Sequence, residues 1–248
     1  MASKAKSKKR AAADSEGGSR KKRKSAYEQD ESLLDTELGV NKGYAFMDPQ
    51  LLADHLAQKT TRFGSDLSPI ELADLYISPS SIHDTTSWLE DRTLTKLPGF
   101  LEKFAKKPED LGKAPKQKGS PHTIIVTGAG LRAADVVRAV RKYQTKKCSV
   151  AKLFAKHMKI EETTKFLQEH HTGVAVGTPT RLNDLVENGA LSLENLERIV
   201  VDASHIDQKK RGVLDMKDTM LPVARWLARK EFKERYTAGD KPLQLLFY

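Results

Sequence analysis

The sequence predicts an α/β fold whose mainly parallel sheet of about five strands is flanked by helices, and three observations carry that prediction. The short runs His122–Thr127, Ser149–Phe154, Gly173–Val176 and Ile199–Val201 are strand-sized, and the last two are continuous and rich in β-branched residues, as in a sheet covered on both faces. Helix-forming stretches separate them, so each connection can be a crossover. One of those stretches opens with the helix-start signal Gly177-Thr178-Pro179-Thr180-Arg181-Leu182. At 248 residues and 38% apolar composition the chain can bury one such core with a helical attachment, but hardly two large domains.

Charge is spread unevenly. The formal net charge is +10, and residues Met1 to Ala26 hold ten Lys or Arg against Asp14 and Glu16, a net +8 that leaves +2 for all the rest. Apart from Met1 this tail has no apolar residue larger than Ala, so it is predicted to be disordered. Lys8-Lys9-Arg10 and Arg20-Lys21-Lys22-Arg23-Lys24 match a two-cluster nuclear localisation signal; the same composition suits an arm that binds nucleic acid by counterion release. No apolar segment follows the charges, which excludes a secretory signal. From Glu28 to Glu37 the sign reverses, through Glu28, Asp30, Glu31, Asp35 and Glu37, and a solvated linker is expected, so that residues 1–43 form one disordered tail. No run is long and apolar enough to span a bilayer. The single cysteine, Cys148, forbids an internal disulfide or a cysteine-based zinc site and fits a reducing compartment.

Residues 44–120 read as a helical segment and linker. Asp48-Pro49 starts one helix, with Leu51, Leu52, His55 and Leu56 on one face; Ser68-Pro69 with Glu71 makes a capping box for a second, Ile70–Ile77; Pro98-Gly99 opens a third, carrying Phe100, Leu101 and Phe104. Such stripes predict packing on the core, with a partner-protein face as the alternative. Lys106–Ser120, rich in Lys, Pro and Gly and without periodicity, is expected to be a flexible loop and an additional phosphate contact.

Residues 121–248 make the main α/β lobe. Its first strand runs into Gly128-Ala129-Gly130-Leu131-Arg132-Ala133, a G-x-G-x-x-A turn that opens an amphipathic helix, Ala133–Tyr143. A dinucleotide site would need an Asp or Glu about twenty residues on, at the end of the next strand. That strand is followed by Lys156 and His157, with no acid. Arg138, Arg141, Lys142, Lys146 and Lys147 make the helix and its exit strongly basic, either a solvated face or the footprint of a polyanion. A helix is predicted over Glu161–His170; His170 and His171 are adjacent, point in different directions and cannot chelate one metal, so they read as a helix end favoured by its macrodipole.

Thr178 is then a good helix cap and Pro179 sits at the first helical position, where a missing N–H costs nothing. The remaining first-turn N–H groups leave from the carboxyl end of the strand, where open α/β sheets bind ligands and helix ends favour phosphate, and Arg181 adds positive charge there. The same residues also make an ordinary capped helix. Downstream, Gln208–Gly212 is an exposed basic turn, and Met216–Phe232 is read as one helix with Trp226 in the core.

The segment Gly177–Leu182, GTPTRL, resembles the Thr-Pro-Gly-Arg motif of DEAD-box RNA helicases, and the segment ending in Asp202-Ala203-Ser204-His205 resembles their box strand and Asp-Glu-Ala-Asp box. Pro242–Tyr248 resembles the strand that leads into their Ser-Ala-Thr motif, and the Gly128 turn stands where they carry the RNA-gripping Pro-Thr-Arg-Glu-Leu-Ala motif. Order and spacing of the first three agree, whereas the identity of the last motif is not kept. The departures bear on chemistry. Ala203 replaces the Glu that activates the attacking water, and His205 replaces the last Asp. No Gly-x-x-x-x-Gly-Lys-Ser/Thr loop exists: Gly112-Lys113 is followed by Ala114 and has Lys107 where the first Gly belongs.

The whole chain resembles the Cms family of nucleolar proteins of the small-subunit pre-ribosome, degenerate DEAD-box-like proteins. That resemblance implies a single RecA-like lobe, a non-catalytic role in the small-subunit processome and rRNA processing, and a nuclear and nucleolar location. It further implies pre-rRNA or snoRNA and pre-ribosomal proteins as partners, with no cofactor, metal, membrane or small-molecule substrate. Gly128, Gly130, Arg132, Thr178 and Arg181 are the expected contacts to RNA phosphates, with Asp202, Ala203, Ser204 and His205 as the degenerate box. Three alternatives stand beside it: a protein-only scaffold, residual ATP binding without hydrolysis, and a Rossmann-type oxidoreductase or methyltransferase using the Gly128–Ala133 turn.

Overall fold

After a small antiparallel hairpin of Leu34–Asp35 (β1) and Val40–Asn41 (β2), five strands form one parallel sheet: Thr123–Val126 (β3), Ser149–Leu153 (β4), Thr172–Gly177 (β5), Arg198–Val201 (β6) and Gln244–Phe247 (β7), in the order β4-β5-β3-β6-β7. The structure is a computed structural model and describes residues 31–155 and 158–248. The basic clusters at residues 8–10 and 20–24, and Lys156 and His157 after β4, lie outside the described residues.

Side chains of period two divide the core between the two faces of the sheet. Ile124, Val126, Leu153, Ile199, Val201, Leu245 and Phe247 face one layer; Ile125, Val150, Val174, Val176, Val200 and Leu246 face the other. The first layer is built from Pro49–Phe63 (α1), with Ile160–Glu169 (α5), Pro179–Glu187 (α6), Lys217–Leu227 (α7) and Lys230–Tyr236 (α8); the second from Leu97–Lys103 (α3) and Gly130–Ala139 (α4). Pro69–Asp74 (α2) is a short turn of helix between α1 and the sheet edge. The α/β class predicted from the strand runs is the one observed.

Several boundaries differ from expectation. Residues 31–43 are ordered: Val40 and Asn41 are buried, and the hairpin is bonded to the loop after β6. Residues 44–120 are no separate attachment, because α1 contributes Leu52, Ala53 and Leu56 to one layer and α3 contributes Leu97, Phe100 and Leu101 to the other. Leu51 instead faces solvent, and the capping box at Ser68 and Glu71 is present but its helix stops at Asp74, so Ile70 is exposed. Lys106–Ser120 is no free loop. A 3-10 turn at Pro108–Gly112 buries Leu111, the Gly119 carbonyl accepts from Ser192 N at 2.8 Å, and Gly119 has φ +63°, where a Cβ would sit 2.5 Å from the Ala190 oxygen.

The helix predicted over Met216–Phe232 is two. It breaks at Ala228 and Arg229, and the break turns Trp226 and Phe232 into the same pocket, where their rings meet edge to face at 5.0 Å. Trp226 is fully buried, as its apolar neighbours predicted. No helix among the described residues is long and apolar enough to cross a membrane.

Asp48 caps α1 by accepting from Leu51 N at 2.8 Å, with Pro49 behind it. Asp48→Ala is expected to cost about 1 kcal/mol, which lowers the melting temperature by roughly 2–4 °C in a calorimetric scan.

Candidate functional site

Parallel strands bring every residue of interest to one edge. β3 leads into Thr127–Ala129 and α4, β5 into Thr178 and α6, β6 into Asp202–His205 and β7 into Tyr248. Strands this short place their carboxyl ends side by side, so residues 75 positions apart in sequence become neighbours.

At the centre Arg132, in the first turn of α4, grips Asp202: Nε donates to Oδ2 at 2.7 Å and Nη2 to Oδ1 at 2.9 Å. The Asp202 side chain is 2% exposed and that of Arg132 11%. Burial alone would lower the Arg132 pKa, but the Asp202 carboxylate beside it reverses that and raises it. Both carboxylate oxygens of the box are thus committed to one guanidinium. Arg132 therefore points into the protein, a correction to its expected role as a phosphate contact: the acid that β6 delivers to the edge is the nearest strong partner and captures it.

Arg181 is corrected in the same way. It is buried, donating from Nη1 to Thr163 Oγ1 at 3.1 Å and from Nη2 to the Met158 carbonyl at 2.9 Å, and it stitches α6 to the start of α5. Thr178 is the N-cap residue of α6, yet its side chain makes no capping bond; Thr178 N instead donates to the Leu153 carbonyl at 3.2 Å, extending the β4–β5 pairing. Gly177 before it must be glycine, because a Cβ would stand 2.5 Å from the Leu153 oxygen and 2.8 Å from Leu182 Cδ2. Gly128 and Gly130 are half-buried at the mouth, and the first amide of α4 with a helical partner is Ala133 N, which donates to the Ala129 carbonyl at 2.9 Å. The amides of Gly130, Leu131 and Arg132 precede it and keep the orientation of a helix start.

The rest of the box is covered. Ala203 is wholly buried, Ala203 N and Ser204 N both donate to the Tyr248 carbonyl at 2.8 Å, and the β1–β2 hairpin lies on top: Asn41 N donates to Ser204 O at 2.7 Å and Ile206 N to Gly39 O at 3.0 Å. His205 is half-buried, and burial followed by the charge of Arg132 lowers its pKa. Beyond β7, Ile82 pairs in parallel with Leu245, His83 N donates to the Leu245 carbonyl at 2.8 Å, and Arg92 donates to the Phe247 carbonyl and to Thr85 Oγ1. Residues 65–98 contain no glycine, so this edge has no flexible backbone cradle for a triphosphate. Burial lowers the Arg92 pKa to about 10. A second buried pair, Lys59 with Asp215 at 2.5 Å, lies under the same edge. Arg92 and Asn41 have no motif around them, and nothing in the sequence singles them out; Tyr248 closes the Pro242–Tyr248 segment, whose resemblance marks a strand and not a contact to the box. Among the described residues no cluster of His, Cys, Asp and Glu is arranged to hold a metal ion.

His55 and His122 are held neutral, each with a pKa lowered to about 4, chiefly by burial. The ordinary value is about 6.5, so below that pH the unfolded chain takes up protons that the folded one refuses, and stability falls as pH drops from about 6.5 toward 4. Each of these histidines is expected to remove about 2 kcal/mol of stability between pH 7 and 5. Urea unfolding of His122→Gln across that range should show a flatter profile than the parent chain.

Compared with known proteins, the chain matches over residues 2–248 the model of the family described as CMS1, U3-containing 90S pre-ribosomal complex subunit. Protein CMS1 of Chaetomium thermophilum is 62% identical over 229 residues, which cover 92% of this chain and 91% of that protein. Protein cms1 of Schizosaccharomyces pombe is 29% identical, covering 86% and 74%, and protein CMSS1 of Homo sapiens is 32% identical over 59% of this chain and 50% of that one. Among solved structures, a DEAD box protein from Methanococcus jannaschii aligns with TM-score 0.39 and 19% identity over 61% of this chain, and the yeast DEAD-box splicing factor Prp28 with TM-score 0.40 and 18% identity over 56%. The chain spans 36% and 30% of those two chains.

Proposed function

Because the chain belongs to the CMS1 family of U3-containing 90S pre-ribosomal complex subunits, a family of ribosome-biogenesis factors, we propose that it works there as a non-catalytic, RNA-binding pseudo-helicase. The observation that carries the reading is the closed pair Arg132–Asp202 beside a buried Ala203. A carboxylate with both oxygens on a guanidinium is poorly placed to take part in phosphoryl transfer, and a methyl group cannot orient or deprotonate water.

Contact with pre-rRNA or snoRNA at this edge falls to backbone amides at Gly128 and Gly130 and to the Thr178 hydroxyl, which makes no capping bond, since Arg132 and Arg181 are spent inside the lobe. The basic clusters Lys8-Lys9-Arg10 and Arg20–Lys24 supply nuclear entry and non-specific affinity, and the chain works in the nucleolus among pre-ribosomal proteins. The inward arginines also favour a second reading, in which the lobe holds proteins alone. The Gly128 turn gives little support to a nicotinamide or adenosyl-methionine enzyme, because the strand that follows it ends without the acid such a site needs.

The test is crosslinking in cells followed by sequencing and peptide mapping. The reading expects pre-rRNA or snoRNA crosslinks within residues 121–248; crosslinks confined to residues 1–30 would leave the scaffold reading. Equilibrium dialysis with labelled ATP, together with turnover measurements on the full chain, is expected to show no hydrolysis.

A further inference from the structure

A second positive surface lies at the opposite end of the sheet. Two adjoining cavities of about 450 and 220 Å³ meet at Lys106, Glu197 and Arg198, where the amino ends of β3, β6 and β7 come together. Their walls carry six cations, Lys106, Lys107, Lys113, Arg198, Arg235 and Lys241, against Asp110, Glu194 and Glu197, a net +3. Everything in the chain after Ala26 nets only +2, so this cleft concentrates the lobe's positive charge.

The floor is unusual. The Arg198 side chain is 4% exposed, and its one carboxylate partner among the described residues is Glu197 at 3.1 Å, itself 61% exposed. Its Nε is buried without a hydrogen-bond partner among the described residues, and so is Nε2 of His122 beside it. A guanidinium sunk this far with a single solvent-facing counter-charge is costly, and such a group calls for a water, ion or ligand that completes it. Above it Lys106 and Lys107 enter no ion pair among the described residues, so the rim has charge to offer.

The lining also selects the partner. The large exposed apolar residues Leu38, Phe46, Leu51, Ile70, Tyr76, Leu89 and Leu131 all lie elsewhere, which disfavours a protein surface that buries aromatic or aliphatic anchors. A polyanion with a charge at every repeat can satisfy both cavities at once. We propose that this amino-end cleft binds the phosphate backbone of single-stranded RNA, with Arg198 on its floor and Lys106 and Lys107 on its rim, beside Lys113, which is paired with Asp110 at 2.7 Å. The proposal rests on the RNA-binding reading above and deepens it by giving the lobe a phosphate site on the side away from the degenerate box. It also accounts for why Lys106–Ser120 folds against the sheet.

The test uses the full chain and a short fluorescein-labelled single-stranded RNA of mixed sequence, with anisotropy read across a KCl series. Lys106→Glu/Lys107→Glu is expected to weaken binding about tenfold and to lower the salt slope by about 1.4, two phosphate contacts on a single strand. Lys209→Glu/Lys230→Glu, equal in charge and outside the lining of both cavities, is expected to change affinity less than about threefold. Arg198→Lys should keep most of the affinity that Arg198→Gln loses, with melting curves confirming that both are folded. Equal effects of the two charge reversals would overturn the proposal. Ultraviolet crosslinking with peptide mapping separates the failures: crosslinks at Gly128–Arg132 and Thr178 without any at 106–118 sink the cleft alone, whereas no crosslink anywhere in residues 31–248 sinks the RNA reading with it.

Discussion

Arg132→Met is expected to lower the free energy of unfolding by about 3–5 kcal/mol, among the largest losses of any single substitution in the lobe. The side chain keeps its length and apolar stem, so little packing is lost; what changes is that Asp202, 2% exposed, is left charged and unpaired. The expectation has an internal control. Replacing both partners, as in Arg132→Met/Asp202→Leu, removes the stranded charge together with its counter-charge, and most of the stability should return. Urea unfolding of the two single variants and the double variant forms a cycle whose coupling energy reads the pair directly. If Arg132→Met costs less than about 1 kcal/mol, Asp202 has another partner or is not buried, and the reading of a closed box fails.

What the sequence discloses and what it hides follow different physics. The strands of the sheet, the capped starts at Asp48 and Ser68, the helix start at Pro179, and the burial of Trp226 were legible because each rests on local pattern: period, cap chemistry, proline at a first helical position or a continuous apolar run. The fate of Arg132 and Arg181 was not. An arginine at a helix start reads as an anion contact unless one knows that Asp202 or Thr163 stands within 3.1 Å, and sequence spacing carries no such distance. The hairpin at residues 34–41 was hidden for a related reason: its acidic composition reads as solvated linker, and only the open carbonyls of the loop after β6, reached from more than 160 residues away, give it something to pair with. Arg198 was passed over because it begins an apolar strand, where a charge is normally a solvated end, and only the fold closes 106–120 over it.

Restoring the missing glutamate is the sharpest test of whether the box is merely mutated or structurally retired. Ala203→Glu is expected to yield no ATP turnover and to destabilise the chain by at least about 3 kcal/mol. Ala203 has no exposed surface; its backbone N is bound to the Tyr248 carbonyl, and the neighbouring Ser204 carbonyl is held by Asn41 of the hairpin. A carboxylate added here must lose its water or push out what covers it, and Arg132, the cation on the neighbouring Asp202, is already bidentate there. The hairpin is therefore the weak point, and loss of its protection in hydrogen exchange, at the amides of Asn41 and Ile206, should accompany the fall in stability. A helicase-type edge that had lost only its acid would accept the glutamate at little cost. A stable Ala203→Glu protein with the hairpin still docked would mean that the space for a catalytic residue survives, and that a lack of turnover would have to rest on the absent glycine cradle alone.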